Sequence, residues 1–186
     1  TEEEIQLTFT ERDKGSLAFS MDGEQIAFLQ SNPNTGWDVM TISLDGGQPK
    51  QRTTGSRWEL DPAWLDIGQI SYTLSPEDSR RSIAVGSLED ESSRRIISSK
   101  NGSAHLVLPA WSPDQSQLYY QRGWPDGPFT TRHMQSGMVE ELIANVRLPL
   151  LSRDGRRVAY INPPELHPQY LWRENVEHIV RPKQLP

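Results

Sequence analysis

Short stretches of alternating apolar and polar residues recur along the chain in four segments of the same layout. Each segment opens with a short apolar run that ends on a bulky residue, the anchor: Phe19, Trp64, Trp111 and Leu151. A polar corner follows, and then a stretch with an apolar or aromatic residue at alternate positions, such as Ile26 and Phe28 or Val158 and Tyr160. The anchors are 45, 47 and 40 residues apart. This is the repeat length of a unit with four short strands.

The turn residues between the predicted strands support the same interpretation. The corner after the first strand reads Ser-x-Asp-Gly at Ser20–Gly23 and Ser152–Gly155. The aspartate can accept hydrogen bonds from the backbone beyond it, and glycine adopts a positive φ without steric penalty. Third strands are expected at 37–42 and 81–85, with glycine turns leading to the outer strands. The sequence therefore predicts an all-β fold, a β-propeller or propeller fragment of four four-stranded blades.

The predicted blades cover approximately residues 17–54, 62–97, 109–143 and 149–184 of a single propeller-like domain spanning residues 1–186. The second corner is one residue shorter, and Leu151 replaces the aromatic anchor in the fourth blade. Residues 170–172 and 177–180 are expected to supply the last two strands of that blade.

Residues 4–8 are expected to form an extra outer strand, whose companion strands do not precede it in the chain. Four blades can close a ring. The alternatives are a fragment to which a parent chain adds blades, and an open arc that a second copy completes as a homodimer.

Composition limits the classes of partner. The net charge is −6 and the pI about 5.2, so we expect no direct nucleic-acid binding by this region. The sequence has no cysteine, which excludes disulfides and thiol chemistry. No apolar run approaches the roughly 18 residues that a membrane-spanning helix requires.

No catalytic motif is found in the sequence. There is no Gly-x-Ser-x-Gly elbow, no phosphate loop and no dinucleotide fingerprint. The four histidines, His105, His133, His167 and His178, do not have metal-ligand spacing. The inner strands are nearly all apolar, which argues against a catalytic site in a central channel. We therefore expect no catalytic residues, no metal and no cofactor.

The third repeat, Pro109-Ala110-Trp111-Ser112-Pro113-Asp114 followed by an aromatic strand, closely resembles the WD-like repeat of TolB-like propellers. The first repeat also carries that family's Gly-Gly turn, at Gly46-Gly47. The resemblance covers nearly the whole chain. It implies a non-enzymatic, periplasmic binding module. Similar propellers form the extracytoplasmic sensor part of CadC-like membrane-anchored transcriptional regulators, so tethering through a membrane segment outside these residues is one expectation.

The alternative is the non-catalytic gating propeller of a prolyl-oligopeptidase-type peptidase, separated from its catalytic domain. A serine elbow downstream in a longer parent sequence would establish it. An upstream DNA-binding domain followed by a membrane span would exclude it.

The candidate binding residues follow from the repeat. Six positions before each anchor lies the loop that enters an inner strand, and in a propeller these loops lie on one face. The residues are Asp13, Trp58, His105 and Asn145. We expect them to ring the mouth of the channel and to contact a protein or small ligand. Trp124, in the Gly123–Gly127 turn, is a further candidate because exposed aromatic residues often anchor partners. Trp37 is expected instead to pack between blades.

Overall fold

The first half of the chain folds into two antiparallel sheets of four strands, one for each predicted repeat. A computed structural model describes residues 4–54, 58–76, 80–90, 93–161 and the backbone of 183–184. The first sheet contains β1 (Lys14–Phe19), β2 (Gln25–Asn32), β3 (Gly36–Ser43) and β4 (Lys50–Gln51). The second contains β5 (Trp58–Trp64), β6 (Gln69–Ser75), β7 (Ser82–Ser87) and β8 (Arg95–Ile97). In both sheets the strands lie side by side in chain order, as in a propeller blade.

The second half forms one sheet of six strands, because one long strand serves two repeats. Its strands are β9 (Leu106–Trp111), β10 (Gln117–Arg122), β11 (Gly127–His133), β12 (Val139–Leu151), β13 (Arg157–Ile161) and β14 (Lys183–Gln184). The early part of β12 pairs with β11, whereas its end, from Arg147 onward, pairs with β13. The outer strand of the third blade therefore continues directly into the inner strand of the fourth.

The two halves, Thr1–Ser98 and Ser99–Pro186, are distinct compact units. Each contains two of the predicted repeats. Within the first unit, Trp64 of the second blade packs against the first blade. Its indole belongs to the same buried cluster as Ala27 and Leu29, with Ala18 and Trp37 packed at the edge. The predicted roles of Trp64 as an interblade anchor and of Trp37 as a packing residue are therefore confirmed.

The second unit repeats this packing with a different anchor. Leu151 of the fourth blade packs against a cluster that contains Tyr119 and Phe129 of the third blade. Those two rings are stacked, with centroids 5.7 Å apart and planes 10° from parallel. Burial raises the pKa of the Tyr119 hydroxyl. Replacement of the aromatic anchor by leucine therefore does not prevent this contact between blades.

The corners form the predicted hydrogen bonds. The Ser20 hydroxyl donates to the Asp22 carboxylate at 2.5 Å, and Ser112 and Ser152 donate to Asp114 and Asp154 at 2.6 Å. Each aspartate also accepts from the backbone N–H two residues further on. The hydroxyl, and secondly this N–H, lower the pKa of each carboxyl.

A bulge at the same place in every inner strand was not predicted from the sequence. In each repeat, the register of the inner strand shifts between the residue four positions before the anchor and the residue one position before it. In all four, the residue three before the anchor has a left-handed backbone: Ser16, Asp61, Leu108 and Leu148, with φ between 43° and 56°. None is glycine, so the surrounding sheet must hold each residue in this conformation. The repeat is thus a repeat of backbone geometry as well as of sequence.

The chain ends differ from the predicted layout. Residues 4–10 contain no strand, although an outer strand was expected at 4–8. Leu7 instead packs against the buried side chains Phe28, Met40 and Ile42 on the first sheet; this apolar contact accounts for its hydrophobicity without strand pairing. In the fourth blade, β13 pairs with the end of β12 on one edge and with β14 at 183–184 on the other. The strands expected at 170–172 and 177–180 lie outside the described residues.

Candidate functional site

Two candidate residues flank the turn between the second and third strands of the first blade. The backbone N–H of Ser31, near the end of β2, donates to the carbonyl of Asp13 at 2.9 Å. On the other side of the turn, the indole of Trp58 occupies the space that a Cβ on Gly36 would need. Gly36 has φ +95°, so both the conformation and the close approach favour glycine. We call Asp13, the 32–36 turn and Trp58 the first turn site.

A buried carboxylate holds this turn in place. Asp38 is 2% exposed and accepts from the Asn32 amide at 2.7 Å and the Thr35 hydroxyl at 2.8 Å. It also accepts from the Gln51 amide of the outer strand at 2.9 Å. Charged hydrogen bonds of this kind compensate the cost of burying a carboxylate. Trp58 is 54% exposed and therefore presents an aromatic surface on a well-supported turn.

The third blade contains an equivalent arrangement, which we call the second turn site: His105, the 123–127 turn and Asn145. The N–H of Gly123 donates to the carbonyl of His105 at 2.9 Å, as Ser31 does to Asp13. Gly127 at the other end of the turn pairs with Val146, the residue after Asn145. Each turn thus lies beside the candidate residue of its own blade and beside, or one residue from, the candidate residue of the next blade.

Two polar contacts brace the second turn. The fully buried amide of Gln121 donates to the carbonyls of Gly123 at 3.2 Å and Pro125 at 2.7 Å. Arg147 forms a bidentate ion pair with Asp126, with N–O distances of 2.5 and 2.9 Å. This hydrogen bonding raises the pKa of the Arg147 guanidinium. The turn is consequently attached both to its own blade and to the inner strand of the next.

Trp124 lies within this braced turn and is 47% exposed. Its neighbours in the turn, Gly123 and Gly127, leave no room for a side chain. A Cβ at either position would overlap the backbone of Asp126 or of Arg122. The chain therefore fixes the path of the backbone on both sides of the tryptophan. A partly exposed indole on a fixed backbone adds little conformational entropy loss on binding, which is why such residues are effective contact points.

The five predicted site residues thus divide between the two units. Asp13 and Trp58 lie at the first turn site, and His105, Trp124 and Asn145 at the second. Asp13 and Asn145 are exposed, whereas His105 is half-buried. That all of them surround one channel mouth stays a prediction.

Sequence reasoning missed the residues that support these turns. Asp38, Gln121 and Arg147 lie within strands and have no repeat signature. Asp126 was visible as part of a Pro-Asp-Gly turn, but its partner lies 21 residues away on another strand. Only the strand register brings that pair together.

Within the described ranges, no three His, Asp or Glu side chains converge as metal ligands. His167 and His178 lie outside those ranges. The described part of the chain also contains no helix that is long and apolar enough to cross a membrane.

The fold is shared with proteins of several functions. No protein-family model matches the sequence, and no curated protein matches it. Among solved structures, the chain is similar to TolB from Acinetobacter baumannii, with a TM-score of 0.70 and 15% identity over 85% of this chain and 40% of that one. It is also similar to a puromycin-hydrolyzing peptidase from Mycobacterium tuberculosis, with a TM-score of 0.66 and 18% identity over 84% of this chain and 26% of that one.

A third similar structure is an oligogalacturonate lyase from Vibrio parahaemolyticus. Its TM-score is 0.58 with 14% identity, over 82% of this chain and 48% of that one. The chain therefore spans between about a quarter and a half of these proteins. Together with the sheets, these similarities show the predicted fold class, an all-β propeller or propeller fragment with TolB-like structural neighbours.

Proposed function

We propose that this chain is a non-enzymatic binding module that recognises a protein or small ligand through its turn sites. One observation carries the proposal. In both units an exposed tryptophan, Trp58 or Trp124, lies at an equivalent turn that buried polar groups hold in place. Partly exposed aromatic residues on rigid supports are the usual centres of binding energy in protein interfaces.

The experiment uses peptide and glycan libraries as defined probes. Binders selected against the wild-type chain are measured against a variant with Trp58→Ala and Trp124→Ala. A binder that contacts one of the two tryptophans loses about 2 kcal/mol or more, so the double variant should weaken its binding by at least about 30-fold. Met138→Ala is the matched control, because Met138 is exposed but follows the far end of β11. Binders that tolerate the double variant and lose affinity with the control would refute the proposal.

The absence of enzymatic activity is part of the same proposal. It is supported by the lack of a serine elbow in the sequence. Two reactions are worth testing because of the structural similarities, namely puromycin hydrolysis and cleavage of oligogalacturonate. We expect the purified chain to give no product in either assay above a heat-denatured sample. Turnover in either one would show that the chain is an enzyme.

We further propose an extracytoplasmic, periplasmic location, as the sensor part of a membrane-tethered, CadC-like transcriptional regulator. The TolB-like repeat and the TolB-like fold support this setting. The second candidate is the gating propeller of a peptidase, which the similarity to the mycobacterial peptidase supports. The sequence of the parent gene separates the two, since a downstream serine elbow would favour the peptidase. An upstream DNA-binding domain and membrane span would favour the regulator.

A further inference from the structure

The first blade exposes apolar side chains at two positions whose equivalents in the second blade are buried. The anchor Trp64 is 7% exposed and Pro62, two residues before it, is also buried. The equivalent residues of the first blade are Phe19 and Leu17, which are 65% and 74% exposed. In the first unit, the anchor side of a blade packs against the preceding blade. Leu17 and Phe19 therefore form an anchor surface without a preceding blade among the described residues; we call it the head surface.

The fourth blade has the opposite surface, the one that accepts an anchor. In the first blade this surface consists of Ala18, Ala27 and Leu29, and it receives Trp64, whose indole N–H donates to the Ala18 carbonyl at 2.9 Å. The equivalent residues of the fourth blade are Leu150, Ala159 and Ile161. All three are exposed, Leu150 by 72%. We call them the tail surface.

From these two surfaces we propose that one copy of the chain binds a second copy head to tail, with Phe19 of one against Leu150, Ala159 and Ile161 of the other. The contact would continue the packing already present between the first and second blades and between the third and fourth. Both complementary surfaces belong to the same chain, so no other partner is required. Two copies would supply eight blades, which is within the range in which propellers close.

The charges of the corners favour the same contact. In the second unit, the corners of consecutive blades touch, since a Cβ on Gly155 would lie 2.8 Å from Cδ of Pro113. A head-to-tail contact would likewise bring the 20–25 corner of one copy against the 152–157 corner of the other. The first corner exposes the carboxylates of Asp22 and Glu24. The second carries three arginines, at positions 153, 156 and 157, and only one carboxylate. The two corners are therefore complementary in charge.

A head-to-tail contact makes a prediction that a symmetric one does not. Phe19→Arg blocks the head surface and leaves the tail surface intact, whereas Leu150→Arg does the reverse. In sedimentation equilibrium, the wild-type chain should associate reversibly, and each variant alone should be monomeric. An equimolar mixture of the two variants should form a 1:1 heterodimer through the two intact surfaces. Higher salt should weaken this heterodimer because the corner charges are exposed.

Several results would overturn the proposal. A monomeric wild-type chain would show that a second copy is not the occupant, and additional blades of a parent chain would then be favoured. Monomers in the mixture would exclude head-to-tail pairing. A Leu150→Arg variant that associates like wild type would indicate a symmetric contact through Phe19. Met138→Arg, which adds the same charge at an exposed apolar site, must leave association unchanged. Circular dichroism establishes that each variant is folded, and Phe19→Ser replaces Phe19→Arg if that variant is not.

Discussion

Trp64 provides the most direct test of how the blades are held together. Its indole is nearly completely buried between the first two blades, and its N–H donates to the carbonyl of Ala18. Trp64→Ala removes the ring from a packed cluster. Substitutions of this kind lower the free energy of unfolding by about 3–5 kcal/mol. Trp64→Phe keeps most of the apolar contact but leaves the carbonyl of Ala18 without this donor. Loss of this hydrogen bond should lower the free energy of unfolding by about 1–2 kcal/mol.

The equivalent residue of the first blade is the internal control. Phe19 has the same position in the repeat but is mostly exposed, so Phe19→Ala should change the free energy of unfolding of a monomer by less than about 1 kcal/mol. Both substitutions remove an aromatic ring from an anchor. The difference between Trp64→Ala and Phe19→Ala in their effect on the free energy of unfolding therefore reports the contribution of packing against a preceding blade.

The measurement is urea denaturation at a protein concentration low enough to prevent association. Because the chain contains two compact units, a single global transition is not assumed. Amide hydrogen exchange in β1–β3 and β5–β7 provides the local free energy of opening for the first unit. If Trp64→Ala destabilises these strands no more than Phe19→Ala does, the contact between Trp64 and the first blade does not stabilise the unit, and the reasoning is wrong.

The remaining predictions concern the corners, the bulges and the second turn site. Ser112→Ala should raise the pKa of Asp114 toward the ordinary value of about 3.9, as measured by NMR of the carboxyl carbon, because the largest pKa-lowering hydrogen bond is lost. Since the folded-state pKa is depressed, the stabilisation by this corner is present above that value and is lost as the pH falls through the folded pKa. Ser16→Gly should raise the free energy of unfolding by about 0.5–1 kcal/mol because φ is positive there, whereas Leu17→Gly should lower it. Arg147→Met should accelerate amide exchange in the 123–127 turn about fivefold, the equivalent of about 1 kcal/mol, and an unchanged rate would show that the ion pair does not brace the turn.

The sequence predicted what depends on local chemistry. Alternation of apolar residues defined the second strand of each blade, and the serine and aspartate of the corners defined where that strand begins. The four candidate positions were found by counting six residues back from each anchor. In the structure, Asp13 and Trp58 lie at the first turn site, and His105 and Asn145 lie at the second. These features depend on residues that are close in the chain, so they can be recognised when the repeats are aligned.

Features that depend on contacts between strands could not be predicted from the sequence in the same way. The four bulges are formed by Ser16, Asp61, Leu108 and Leu148, which share no side-chain chemistry. Only aspartate among them has any preference for a left-handed backbone. The conformation is imposed by the pairing of the inner strand with its neighbour, not by the residue that adopts it. The support of the turns by Gln121 and Arg147 likewise depends on register between strands.

The bulges also connect the fold with the candidate site. Each lies between an anchor and the residue six positions earlier, which lies at a turn site. Two of the anchors, Trp64 and Leu151, pack against the preceding blade. An extra residue in a strand increases the local twist and changes the direction of the residues before it. In the second and fourth blades, the bulge thus allows the inner strand to pack its end against the preceding blade while its beginning remains at the exposed turns. Because all four repeats keep this geometry with different residues, the scaffold leaves the side chains at the turn sites free to differ, as Asp13, Trp58, His105 and Asn145 do.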